Sequence, residues 1–204
     1  MAAAVVAHRA ASSGRDVEDL LASRHVLGAA LARTGHLERA LRELDEVVSR
    51  RAVNDLPDSA RLTAGRHERA ECLMLMRRYA DALAELDVVV GQRARTRPAS
   101  DPALVSARTD RGLCLLMLRR WAEAIAELNP ALAVLHTRNN PDDEHLLLVR
   151  QQRGVCLHAL GRASEAAIEL DGILAATAHW PRDHPLVTTV LRQRAELTSS
   201  AAAG

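Results

Sequence analysis

Phenylalanine is absent from the 204-residue chain, tyrosine occurs once and tryptophan twice, so aromatics are 1% of the residues. A core without them must be filled by Leu, Val, Ile, Met and Ala. That suits closely stacked helices and argues against a β-sandwich or barrel, whose strands favour aromatic and β-branched residues. Lysine is absent too, so all 27 basic residues are arginine, set against 26 acidic residues for a net charge of +1. A balance this close to neutral argues against a dedicated nucleic-acid domain, as does the lack of an aromatic platform for stacked bases. Three cysteines are an odd number and do not suggest a disulfide framework. No apolar run approaches the ~18 residues of a membrane span. The stretch Ala2 to Ala7 is short for a signal-peptide core and has no basic residue before it. The expectation is a cytoplasmic protein with reduced thiols and neither nucleic acid nor membrane as partner. There is also no phosphate-cradling glycine loop, no Gly-x-Ser-x-Gly elbow and no zinc-type cysteine spacing. An enzyme is therefore not expected, nor a metal or cofactor.

What the chain does have is a repeat. Segments beginning at Gly35, Arg77, Arg119 and Gly161 align without gaps, and Ala40, Ala82, Ala124 and Ala166 follow one another at intervals of 42 residues. The same step relates Gly28, Ala70, Gly112 and Gly154, then Leu31, Leu73, Leu115 and Leu157, then Leu44, Leu86, Leu128 and Leu170. It also relates Cys72, Cys114 and Cys156. Within each copy the apolar residues fall at i, i+3, i+4 and i+7, the helical period. A short break at Gly35, Arg77-Arg78, Arg119-Arg120 or Gly161 marks a tight turn between two helices. A longer Pro- and Asp-containing segment then ends the pair and caps the next helix: 54–58, 97–102, 139–143 and 180–185. Each unit is predicted to be a helix hairpin, and the hairpins to stack into an α-solenoid. The expected organisation is a flexible tail over 1–16 and an array over 17–197. Its repeats fall at about 20–58, 62–100, 104–142 and 146–182, with a capping helix at 185–197. A second flexible tail covers 198–204.

The pattern of a small residue, a Leu three residues on, and then Gly-x-aromatic-x-x-Ala resembles the tetratricopeptide repeat (TPR). Gly28, Ala70, Gly112 and Gly154 match the small residue of its first helix. Tyr79 and Trp121 match the aromatic that opens its second helix, and Ala40, Ala82, Ala124 and Ala166 match the small residue of that helix. The 42-residue step and the Pro-Asp loops look like the kinesin-light-chain class, which is abundant in actinobacteria, often in regulatory ATPase arrays. Arg24-His25 and Arg66-His67 match the Arg-His pair that opens its first helices, and an all-arginine composition fits a GC-rich genome. The resemblance covers about residues 17–197. It implies an all-α, right-handed superhelix of four hairpins that binds protein or peptide partners. Large aromatics of the motif are replaced at Arg24, Leu31 and Leu44.

Two sets of columns carry the functional reading. Arg24, Arg66, Arg108, Arg150 and Arg192 form one column on the inner side of the first helices, with Arg69, Arg111 and Arg153 three residues further on. Half-buried guanidinium groups need carboxylates, and Glu43, Glu85, Glu127 and Glu169 supply one per repeat. An Arg–Glu ladder is favoured over an anion-binding stripe. Two pairings fit: Arg24 with Glu43 inside a repeat, or Arg66 with Glu43 between repeats, the latter giving Arg192 a partner in Glu169. The cysteines are read as core, since neighbouring helices lie too far apart for disulfides.

The second set faces away from the second helices, into the expected groove: His25, His67, Glu71, Met74, Thr109, Leu113, Leu116, Met117, Gln151, Val155 and His158. The run Leu113 to Leu118 is apolar all round, unlike a helix with one wet face. A covering partner segment is the leading expectation, and Met-lined surfaces adapt to varied apolar ligands. The family's charged-peptide clamps use Lys and Asn at the places held here by His25, His67, Thr109 and Gln151, so a carboxylate clamp is not expected. The alternatives are a homodimeric scaffold joined through the same strip, or a small-ligand or biosynthetic enzyme in which His25, His67 and Glu71 converge on one pocket.

Overall fold

The computed structural model describes residues 2–56, 59–138 and 140–202, with side chains for 16–56, 59–138 and 140–199. Pro57, Asp58 and Asn139, parts of two of the expected loops, lie outside the described residues. Among the described residues the regular structure is helical throughout. The helices are α1 (Ala2–Arg33), α2 (Leu37–Asn54), α3 (Ala60–Leu75), α4 (Tyr79–Thr96), α5 (Pro102–Met117), α6 (Trp121–His136), α7 (Glu144–Ala159), α8 (Ala163–Ala176) and α9 (Pro185–Ala202). None of these helices is long and apolar enough to cross a membrane. The fold class is an all-α helical-repeat solenoid. The chain divides into two compact units, Met1–Gln92 and Arg93–Gly204, each described by itself below.

The hairpins follow from the sequence columns. Every first-to-second helix turn passes through the left-handed region at one repeat position. Gly35 and Gly161 sit there at φ 81° and 76°, Arg77 and Arg119 at 60° and 61°. Glycine takes that conformation without a steric penalty, whereas arginine is strained there. The first helices are capped by side chains that accept backbone N–H bonds: Ser59 from Leu62, Asp101 from Ala103 and Leu104, and Asp143 from Leu146. At α9 the imidazole of His184 accepts from the Leu186 N–H at 3.3 Å. The second helices open on an acidic first turn, Glu38, Asp81, Glu123 or Glu165, which suits the positive end of the helix dipole.

In residues 1–92, α1 packs on α2, and α3 touches both. Leu31, Ala40, Leu44 and Cys72 form one buried cluster. In residues 93–204, α5 packs on α6, α7 on α8 and α8 on α9, while the first helices also touch one another, α5 with α7 and α7 with α9. Val105, Leu128, Ala131, Leu132, Leu135, Leu146 and Val149 form the core between those hairpins. Gly28 and Gly112 are required by close approach: a Cβ there would sit 2.8 Å and 2.5 Å from the side chains of Leu44 and Leu128.

Three differences from the sequence reading are local. The segments read as tails are helical where described: α1 already runs from Ala2 and α9 continues to Ala202. Both stretches are rich in alanine, the strongest helix former. Met1, Ala203 and Gly204 lie outside the described residues. The third is that the ladder, for which two pairings fitted, closes by the pairing inside the hairpin, in repeats one, two and four. Arg24 reaches Glu43 at 2.8 Å, Arg66 reaches Glu85 at 2.9 Å and Arg150 reaches Glu169 at 2.8 Å. Arg192 pairs with Glu196 one turn along its own helix at 3.3 Å, not with Glu169, whose two oxygens are taken by Arg150 and Arg153.

Candidate functional site

The second arginine row shares the ladder carboxylates. Arg69 donates to Glu85 at 2.8 Å, Arg111 pairs with Glu127 at 2.6 Å and Arg153 with Glu169 at 3.0 Å. Arg69 also donates to Asp45 on the preceding helix at 2.6 Å, and Arg194 to Asp171 at 2.7 Å. Two contacts between successive hairpins therefore use aspartates of one column, and the ladder contacts within a hairpin use the glutamates. Repeat three breaks the pattern. Arg108 does not reach Glu127, whose Oε2 is buried without a hydrogen-bond partner among the described residues. In repeat four Gly172 leaves the space in which the Arg150 guanidinium lies. The corresponding position in repeat three is Pro130, inside α6. Most guanidinium groups of the two rows are thus engaged by carboxylates.

A further pair of arginines was not legible as a column, because Leu135 and Thr177 follow at the same step. Arg51 is 3% exposed; it donates to the Arg61 carbonyl at 3.1 Å and to Glu18 at 2.9 Å. Arg93, also buried, donates to the Ala103 carbonyl at 2.8 Å. Each ties the end of a second helix to the first turn of the next helix. The one available signal was their 42-residue spacing.

The groove candidates separate into two groups. His25, His67 and Thr109 are committed to neighbours and do not line a free face. His25 Nδ1 lies 3.5 Å from Arg51 Nη1, and burial lowers its pKa, opposed by Glu68 and reinforced by Arg51. His67 is buried, with Nε2 3.8 Å from the Glu71 carboxylate, too long for a hydrogen bond. Thr109 is buried and gives its one hydroxyl proton to the Val105 carbonyl at 3.0 Å. The 3.3 Å contact from His145 Nε2 must then be donated by the imidazole. This column thus lies on the flank where first helices meet one another, which is why it is occluded. Met74 and Glu71 are half-buried on α3.

The second group gathers on the first helices of residues 93–204. Leu113 and Leu116 are half-buried on α5 and Met117 is 38% exposed, while Gln151 and Val155 are half-buried and His158 exposed on α7. Leu148 adds an exposed apolar side chain to α7. A cleft of about 100 Å³ lies where α7, α8 and α9 meet, with Val155, Leu170 and Leu197 among its apolar walls and His158, Arg192 and Glu196 among its polar ones. A volume of that size admits an aliphatic side chain, being smaller than a ~150 Å³ cavity that takes benzene. The surface is an apolar strip with a polar rim and a side-chain-sized notch.

No family model matches the chain, and no curated protein matches it. Solved structures do. A putative kinesin light chain from Podosopora anserina, described as having nearly identical TPR-like repeats, superposes with a TM-score of 0.76 at 20% identity, covering 90% of this chain and 87% of that one. BtubC (BKLC) from P. vanneervenii gives 0.70 at 18% identity over 81% of this chain and 66% of the other. MamA from Desulfovibrio magneticus RS-1 gives 0.62 at 16% over 89% of each. At these identities the likeness is one of fold, and the fold is a TPR-like helical repeat.

Proposed function

We propose that the chain is a non-catalytic interaction module, of adaptor or regulatory kind, whose α5–α7 face holds an apolar or amphipathic segment of a partner protein. The observation that carries this is the strip Leu113, Leu116, Met117 and Val155, half-buried to exposed apolar surface beside the notch at α9. The TPR-like fold supports a scaffold for proteins in general, because stacked hairpins present extended faces. The 42-residue step, together with the fold likeness, supports the kinesin-light-chain class. Three buried, unpaired thiols support a reducing, cytoplasmic setting.

Peptides selected by display on the intact chain test the reading. Enriched sequences should carry apolar residues at helical spacing and bind Leu116→Asp at least about tenfold more weakly, with that variant's circular dichroism unchanged. Peptides that bind both forms equally would place the interaction elsewhere.

A further inference from the structure

In residues 1–92 four of the eight exposed large apolar side chains, Val17, Leu20, Val26 and Leu27, lie on α1, and the repeat shows what that edge does in another copy. On α3 the corresponding edge is Leu62, Gly65, Arg69 and Cys72, and α2 covers it. Val47 and Val48 lie against Gly65, Asp45 takes Arg69, and the Leu37 carbonyl accepts from the Cys72 thiol. One repeat earlier the same places are Leu20, Ser23, Leu27 and Ala30 on α1. Leu20 is 55% exposed and Leu27 45%, against 3% for Leu62, and Val26 beside them is 68% exposed. An edge left in water is expected to be polar. Here the change runs the other way, with leucine where α3 has Arg69 and valine where it has Glu68.

We propose that this edge of α1 is a self-association surface that pairs with the same edge of a second copy. Two other occupants are chemically mismatched. A helix like α2 would set its Asp45-type carboxylate against Leu27, which has no cation to offer. The outward face of α9 carries Arg192, Glu196 and Ser199, all exposed, so head-to-tail docking would lay ionic groups on Leu20 and Leu27. The α1 stripe is complementary to itself. Its positions 20, 23, 27 and 30 alternate steps of three and four, the spacing of a helix–helix seam. An antiparallel two-fold pairing sets Leu20 opposite Leu27 of the second copy and places Ser23, small enough for close approach, beside the axis. The exposed Asp16 then points toward the exposed Arg33 of the second copy. Such an isologous contact closes on itself and does not propagate. The overlap of residues 14–33 is only about 30 Å long, below a standard interface, so the pair is a weak, concentration-dependent dimer.

Sedimentation equilibrium of the full chain over a wide concentration range tests this. The mass should climb from 22.1 kDa toward twice that value. Leu20→Glu/Leu27→Glu should weaken the pairing at least about a hundredfold, because both copies lose both contacts, with helix content unchanged. Ser23→Cys should crosslink to a dimer under mild oxidation, whereas Ser49→Cys, exposed on α2, should not; the native cysteines are buried. A chain that stays monomeric at every concentration would overturn the proposal. So would a dimer that survives the double substitution, or one that Ser23→Cys fails to trap.

Discussion

Replacing Gly112 with alanine, and separately Gly154, perturbs the same repeat position in two hairpins of residues 93–204 with opposite expected signs. Either change removes a helix-interior glycine, which by itself stabilises by up to ~1 kcal/mol. The packing then decides. At Gly112 the new Cβ would lie 2.5 Å from Leu128 Cδ2 and 2.9 Å from its Cγ, and Leu128 is fully buried with no room to withdraw. Overpacking of this kind costs about 1–3 kcal/mol, so Gly112→Ala should come out neutral to about 2 kcal/mol destabilising. At Gly154 the nearest atom is Leu170 Cδ2 at 3.3 Å, with Glu169 Cβ at 3.6 Å. A shift of a few tenths of an ångström accommodates that, and Gly154→Ala should be stabilising by roughly 0.5–1 kcal/mol. Urea unfolding followed by circular dichroism compares the two at unchanged m-value. A midpoint that rises as much for Gly112→Ala as for Gly154→Ala would refute the claim that the hairpins differ in closeness of approach. The second repeat already carries Ala70 in this column, fully buried, so alanine is compatible with the fold where the spacing permits.

Two further outcomes follow from the ionic and thiol columns. Glu169→Gln should destabilise by about 1–3 kcal/mol, since it strips one half-enclosed carboxylate from both Arg150 and Arg153. Glu196→Gln, in an exposed one-turn pair with Arg192, should change nothing measurable; equal losses would show that the ladder does not weld the hairpins. Burial pushes the Cys114 thiol up to about 12 and Cys156 to about 11, with carboxylates reinforcing the rise at Cys72 and Cys114. Native protein at pH 8 should react with thiol reagents far more slowly than the urea-unfolded chain. The folded state favours the protonated thiol, so this contribution to stability is complete below the ordinary cysteine value of 9.0 and is lost as pH rises toward 11–12. Fast labelling of the folded chain at pH 8 would contradict the burial.

The hairpins were legible because their determinants are local and repeat. Turns fall at Gly35 and Gly161, caps at Asp101 and Asp143, and the core leucines keep the helical period at a constant step. The Arg–Glu column could be read, but its pairing could not. Whether Arg66 turns to Glu43 or Glu85 depends on rotamers and on which helix lies closer, and spacing alone does not fix either. Arg108 shows the same limit from the other side: its column predicts a partner, and Glu127 pairs instead with Arg111. For the groove, assigning faces at 100° per residue put Leu113, Leu116 and Met117 outward, and the first two are half-buried and the third 38% exposed. The same assignment put His67 and Thr109 outward, although they are buried. The error is about one residue's rotation, enough to separate a wet face from the flank where first helices touch. The Ala-rich ends looked like tails because they lack apolar periodicity, yet alanine needs none to favour a helix.

That each glutamate is matched by arginines of its own hairpin bears on how such a gene can change length. Recombination between copies adds or removes 42 residues at a stroke. With the pairs closed inside the unit, a duplicated or excised copy takes its own neutralised charges with it. The seams carry Asp–Arg contacts at the half-exposed rim, together with the buried Arg51 and Arg93 where those are present. Copy number in this architecture is therefore freer to vary than the sequence of any one copy.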